Sequence, residues 1–350
     1  MTSHRIERLQ NELADDQALY VTNLINVRYL CGFTGSNGAL LVTKDSAVLA
    51  TDSRYEIQSA NQTCDVEILI GRNLSELLLA GKSQSQMLVE GNDISVNALE
   101  ALKEANPKIT FQATDGVVEH LRSIKDESEL QLIRLACQIS SQALNDTLPK
   151  IQIGVSERHL RDLLENRMRE LGADDIAFAS IVASGPNSAI PHHEPTTREL
   201  SSGDLLKIDF GAKVDGYHSD CTRTFVMGKP AEWQIELHQA VAQAQQSGRD
   251  KISSAVKFSA VEQSVNDSLS ESGYREFFTH GLGHGVGLEI HEEPFFSRTQ
   301  TGKIAPNTVI TIEPGAYLPE RGGVRIEDTV AVTSQGHDNY TQFSYELIEL

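Results

Sequence analysis

The first third of the chain alternates two hydrophobic rhythms. Short β-rich runs, "ALYVTN", "GALLVTKDSAVLATD", "VEILIG", "QMLVEG" and "ITFQAT", are separated by stretches with helical spacing such as "NLSELLLAG" and "SVNALEALKEA". Strands interleaved with helices from Ala18 to about Gly116 predict an α/β layered domain. The apolar positions of "LRSIKDESELQLIRLACQISSQALN" then recur at helical spacing, and the charged opening Lys125 to Glu129 marks the domain boundary. A second helix, "ERHLRDLLENRMREL", is entered after Ser156 and stopped at Gly172. The chain therefore divides into residues 1–122 and 123–350.

Beyond that point the order of elements repeats. Helix, helix, "PHHEP" and "LLKIDFGAKVDGYHSDCTRTFV" are followed, roughly 100 residues on, by the same series. Its members are "AEWQIELHQAVAQAQQSGRDKI", "SAVEQSVNDSLSES", "IHEEP" and "VITIEPGAYLPERGGVRIEDTVAV". Two similar halves facing each other would bring their inward side chains to one seam. In the first hairpin an Asp-Gly turn around Val214 to Gly216 sets Asp209 and Asp220 opposite one another on one face. In the second, Glu313 and Glu327 lie symmetrically about Glu320. Four ionised carboxylates so close repel unless protons or cations intervene, and two divalent cations match their charge of about −4.

The stretch "HGLGHGVGLEIHEEP", His280 to Pro294, supplies imidazoles. Glycines at 281, 283, 285 and 287 oppose a helix, and no glutamate lies between His280 and His284, which excludes a zinc-protease HExxH helix. An extended, glycine-permissive strand that lets backbone approach a ligand closely is expected instead. One imidazole among oxygen ligands suits manganese, cobalt or iron and tolerates zinc.

Composition narrows the partners. With 30 basic against 49 acidic residues, a formal charge of −19 opposes nucleic acid and anionic membranes. No apolar run approaches membrane-spanning length, and the charged start is unlike a signal peptide, so the cytoplasm is the expected location. The four cysteines form no CxxC, which points away from a zinc ribbon or a disulfide framework.

Taken in order, "KIDFG", "SDCTRTF", "HGLGHGVGLEIHE", "TIEPGAY" and "GVRIEDT" resemble the five signature segments of the pita-bread metallopeptidases. The group they resemble is that of Xaa-Pro aminopeptidase (aminopeptidase P) and prolidase. "YLCGFTGSNGALLV" and "TDSRYEIQSA" likewise resemble the domain that precedes the catalytic one in this group. The resemblance implies a creatinase/prolidase-like α/β domain over 1–122 and an α+β pita-bread catalytic domain, with a pseudo-twofold internal repeat, over 123–350. It also implies two divalent metal ions, manganese foremost, on Asp209, Asp220, His284, Glu313 and Glu327. The substrates implied are small peptides with proline second, and the assembly a homodimer. His291 is assigned to the substrate-facing wall and His192 to its partner, and aligning "HHEP" with "HEEP" separately favours His192 over His193.

The chemistry expected on this basis is attack on the scissile carbonyl by hydroxide bridging the two cations. Glu313 would shuttle its proton, and both wall histidines would donate hydrogen bonds to the carbonyl and oxyanion. Arg325 shares a strand face with Glu327 and is expected to order that carboxylate; Thr222 shares the face of Asp220. A methionine aminopeptidase would share the ligands but normally lacks the N-terminal domain. A non-catalytic binding protein of the same fold would need neither wall histidine. His4, His120, His159, His238 and His337 are expected to be structural and Cys221 core. His193, His218 and His280 stand between supporting the site and merely packing.

Overall fold

A computed structural model describes residues 2–81, 84–296 and 300–350, and the chain divides between Arg122 and Ser123 into two units. In the first, α1 (Thr2–Glu12), β1 (Gln17–Val21), α2 (Leu24–Cys31), β2 (Gly38–Thr43) and β3 (Ala47–Thr51) lead to α3 (Glu56–Gln62) and β4 (Glu67–Ile70). There follow α4 (Leu74–Leu79), β5 (Gln86–Glu90), α5 (Val96–Ala105), β6 (Thr110–Thr114) and α6 (Val117–Ser123). The six strands form one mixed sheet in the order β4-β3-β2-β1-β5-β6. Residues of β2 and β3 are buried throughout, whereas no residue of the edge strands β4 and β6 is fully buried. Apolar content alone does not separate the two, since β4 carries Ile68, Leu69 and Ile70 at the edge of the sheet.

The second unit opens with α7 (Glu127–Thr147) and α8 (Glu157–Glu170), then β7 (Asp175–Ile176) and β8 (Ile181–Ser184). The hairpin region carries β9 (Leu205–Phe210), β10 (Ala212–Val214), β11 (Tyr217–His218) and β12 (Cys221–Val226). The series recurs as α9 (Glu232–Lys251) and α10 (Phe258–Glu271), followed by β13 (Val309–Ile312), β14 (Gly315–Leu318), β15 (Gly322–Arg325), β16 (Asp328–Val332) and β17 (His337–Asn339). The long helix expected from "LRSIKDESELQ" is two helices. Asp126 caps α7, accepting from the Glu129 amide while Glu129 reaches back to the Asp126 amide, so the chain restarts there. Ser156 caps α8 through the His159 amide, as its sequence suggests.

Two apolar clusters, one per half, hold the helices against their strands. Ile139, Leu160, Leu164 and Met168 pack on Ile208 and Phe225; Val261, Val265 and Leu269 pack on Ile310 and Val330. Cys221 lies in the first of these. The halves meet where Thr222 and Glu327 bridge across adjacent strands. No helix among the described residues is long and apolar enough to cross a membrane.

Candidate active site

The two-residue turn Asp215-Gly216, both at positive φ (43° and 76°), pairs Val214 with Tyr217 and sets the register of the whole first hairpin. In that register Asp209 faces Thr222, not Asp220, and the two aspartates are diagonal neighbours on one face. The expectation that they sit directly opposite is thereby corrected by two residues, because the turn centre falls between Asp215 and Gly216 rather than earlier. In the second hairpin Gly315 pairs with Arg325 and Ile312 with Asp328. Glu313 and Glu327, in the break between the two ladders, stay in the expected symmetric relation.

The glycine-rich stretch is not a regular strand. It touches β13 at alternate residues, with the Thr311 amide donating to the His284 carbonyl (2.8 Å) and the Glu313 amide to that of Leu282 (2.9 Å). At Gly283 any Cβ would run into the Thr311 carbonyl oxygen. The close approach that glycine permits is therefore to a neighbouring strand rather than to a ligand, and its effect is to bring His284 level with Glu313.

All eight residues singled out from the sequence line one cavity of about 210 Å³. Asp209, Asp220, His284, Glu313 and Glu327 form its floor, with His192, His291 and Arg325 around them and Phe178 and Ile181 completing the wall. Donor atoms of Asp220, His284 and Glu327 lie within 4.8 Å of one another. His284 Nε2 is 3.6 Å from Asp220 Oδ2 and 3.7 Å from Glu313 Oε1. Buried Oδ1 atoms of Asp209 and Asp220 have no hydrogen-bond partner among the described residues. Bare carboxylate oxygens beside an imidazole, with no thiolate, suit a hard or borderline divalent cation.

The electrostatics agree. Burial pushes the Asp220 and Glu327 carboxyls well above the usual carboxylate range, and neighbouring carboxylates add to it. Glu313 is raised to about 8 by burial, opposed by Arg325 and reinforced by Asp209. Burial lowers His284 to about 4, which keeps its imidazole neutral and able to coordinate.

Arg325 does not order Glu327 directly. Its guanidinium makes a short ion pair with Asp209 and donates to Thr222 Oγ1 (3.0 Å), Tyr317 Oη (2.8 Å) and the Pro191 carbonyl (3.2 Å). Thr222 in turn donates to Glu327 Oε2 at 2.7 Å, so the arginine reaches that carboxylate through a hydroxyl. His280 Nε2 lies 2.8 Å from Tyr317 Oη, and His218 Nδ1 lies 2.9 Å from the Gly287 carbonyl. Sequence reasoning passed over Tyr317 and Lys207. Lys207 was detectable, since a lysine two residues before Asp209 on a wholly buried strand must face the same way.

A two-lobed α+β domain with a buried carboxylate-histidine cavity at its seam is the architecture of a metal-dependent hydrolase. Residues 131–334 match metallopeptidase family M24, and residues 5–124 match the creatinase/prolidase N-terminal domain. The Xaa-Pro dipeptidase of Pyrococcus furiosus is 32 % identical over 346 residues, covering 98 % of this chain and 99 % of that one. Among solved structures, an Xaa-Pro dipeptidase from Bacillus anthracis superimposes with a TM-score of 0.96 at 36 % identity, covering 100 % of both chains. An X-Pro aminopeptidase from Thermotoga maritima gives 0.91 at 32 %, covering 97 % of this chain and 99 % of that one. The chain belongs to metallopeptidase family M24 and is a hydrolase with the pita-bread fold, as the sequence motifs led us to expect.

Proposed function

We propose that this chain is an exopeptidase that hydrolyses the bond between an N-terminal residue and a following proline. The observation that carries the reading is the convergence of four carboxylates, His284 and two solvent-facing histidines on one cavity. The names borne by its relatives support proline as the second residue. Asp209, Asp220, His284, Glu313 and Glu327 would hold two divalent cations, manganese foremost, which when bound supply Lewis acidity to the scissile carbonyl and acidify water.

Glu313 is 18 % exposed at its side chain and lines the cavity, and with metal bound its carboxyl would be ionised and able to accept a proton. That suits it to take a proton from the attacking water and hand it to the departing proline nitrogen. Burial lowers His291 below its ordinary value, so the ring is neutral at pH 7 and keeps one N–H to donate to the substrate oxygen. His192 lines the same cavity from the other half and can also donate an N–H. A proline nitrogen carries no N–H, so the cavity owes it no acceptor, and Phe178 and Ile181 give its ring an apolar surface.

Hydrolysis of an Xaa-Pro dipeptide beside an Xaa-Pro-Xaa tripeptide, on chelator-stripped protein with and without added manganese, tests the proposal. Cleavage of the dipeptide alone makes the enzyme a prolidase, and cleavage of the tripeptide an aminopeptidase P. No cleavage of either by protein that has bound metal overturns the proline specificity.

A further inference from the structure

We propose that the residue after each wall histidine, His193 in one half and Glu292 in the other, is the anchor that sets the position of the histidine before it. Each does so by pairing with one buried ionisable partner, Glu157 and Lys125. The inference rests on the reading of His192 and His291 as substrate-facing.

The two segments share an exposure pattern. In "HHEP" (His192–Pro195) and in "HEEP" (His291–Pro294) the first residue is exposed, the second buried, the third exposed and the fourth half-buried. The buried members are equivalent by position yet opposite in chemistry: His193 is 8 % and Glu292 5 % exposed. A buried ionisable group needs a partner of complementary type, and each has one. His193 Nε2 lies 2.9 Å from Glu157 Oε2; Lys125 Nζ lies 2.8 Å from Glu292 Oε1.

Both anchors do more than fill space. The Glu157 carboxylate also accepts from the Ser184 amide and hydroxyl, Asn187 Nδ2 and the Thr196 amide and hydroxyl, all at 2.8–3.0 Å. One carboxylate thus ties both ends of the loop that carries His192. Lys207 fixes the middle, donating to the carbonyls of Ile190 (2.6 Å) and Pro191 (3.1 Å). Burial alone would raise Glu157, but the bonds from His193, Asn187 and Thr196 lower it to about 2, so it stays ionised throughout the neutral range.

In the other half Glu292 accepts the Glu289 amide through Oε2 (3.2 Å) and exchanges both backbone hydrogen bonds with Gly285 (3.0 Å each). Its carboxylate occupies the space that a side chain at Gly287 would need. The segment from His284 to His291 is thereby closed into a loop with Lys125 at its neck. The wall rings themselves face the cavity, His291 edge-on to His284 at 4.4 Å, and they inherit their positions from this backbone.

Positioning roles of this kind make a crossed prediction. Glu157→Gln, His193→Gln, Glu292→Gln and Lys125→Met are introduced into wild type, His192→Ala and His291→Ala, and the manganese-loaded full chain is assayed on an Xaa-Pro dipeptide. In wild type each should lower kcat by up to about 10²-fold, the cost of misplacing a catalytic contact by ~1 Å, with a smaller change in KM. Glu157→Gln and His193→Gln should keep that effect in the His291→Ala background yet cost less than about twofold in His192→Ala, with the reverse for the other pair. Equal losses in both backgrounds would mean general structural damage and overturn the proposal.

Amide hydrogen exchange provides a readout independent of turnover. Glu157→Gln should speed exchange at Ser184 and Thr196 and leave Gly285 and Glu292 unchanged, and Lys125→Met should do the opposite; no local change in either also overturns it. Should Glu157→Gln fail to fold, His193→Gln disturbs only one of the six bonds and carries both measurements. If the wild type cleaves no Xaa-Pro peptide, the proposed function fails while the exchange pattern still decides the anchors.

Discussion

Stripping metal from the protein should make its stability fall as pH rises from 6.5 to 8. With no cation present, Glu313 holds its proton up to about 8 in the fold, against 4.5 for the free side chain, and Asp220 and Glu327 are displaced in the same direction. An acid whose folded pKa is raised contributes no penalty below the unfolded value, and loses stability progressively up to the folded one. Two effects overlap lower down. His280 and His284, pushed down to about 4 by burial, make stability rise with pH between about 4 and 6.5, which opposes the carboxyls. At 6.5 half of that contribution remains, His238 adding to it, and it fades by about 7.5, so it offsets part of the carboxyl effect at the start of the window and little of it above. One extra proton retained by the folded state across this window costs at most about 2 kcal/mol, since solvent reaches the partly exposed Glu313. For a domain of this size the melting temperature drops by about 4–8 °C. Thermal melts of chelated wild type, chelated Glu313→Gln and manganese-loaded wild type, at 6.5, 7.25 and 8.0 and constant ionic strength, measure it. The loaded protein, with its carboxylates ionised in folded and unfolded states alike, should show no fall. A flat or rising profile for chelated wild type, or an undiminished slope in chelated Glu313→Gln, would refute the reasoning.

Asp209→Ala and Glu327→Ala should abolish hydrolysis and lower bound metal, as read by elemental analysis; activity retained at full metal content would remove either residue from the site. His291→Ala should be folded and metal-loaded but slower by on the order of 10²–10³-fold in kcat, the loss typical of one oxyanion donor. A wild-type rate would take it out of the mechanism. Gly283→Ala, whose new methyl meets the Thr311 carbonyl, should cost about 1–3 kcal/mol in denaturant unfolding and weaken metal binding through His284; wild-type values for both would show that the strands part freely.

What the sequence made legible is what a local rule governs. Ser156 as a cap, the Asp215-Gly216 turn and the symmetric pair Glu313 and Glu327 each follow from a short-range pattern. Even the register error in the first hairpin was readable: a two-residue turn centred on Asp215-Gly216 requires Asp209 to face Thr222. Partner choice across the seam was not legible in the same way. The parity of Arg325 with Glu327 gave the correct face, yet the guanidinium crosses to Asp209 in the other half, and only the docking of the halves decides which carboxylate it meets. Glu157, at the start of α8, and Lys125, in the link before the cap of α7, left no periodic signal, since a charged residue in such a place ordinarily lies in solvent.

The connectivity of Arg325 shows why such long-range choices matter to the chemistry. One side chain touches Asp209 and Thr222 on the first hairpin, Tyr317 on the second, and the carbonyl of Pro191 next to His192. Through Thr222 it reaches Glu327, and through Tyr317 it reaches His280. The carboxylate floor and the histidine wall are therefore not independently placed: a shift of Asp209 is transmitted to the loop of His192 through a planar group whose donors point in fixed directions. Lysine, with three donors radiating from one atom, could satisfy the charge of Asp209 but not the four separate directions. Conserving the charge at this position would thus preserve the electrostatics of the floor while leaving the wall free to move.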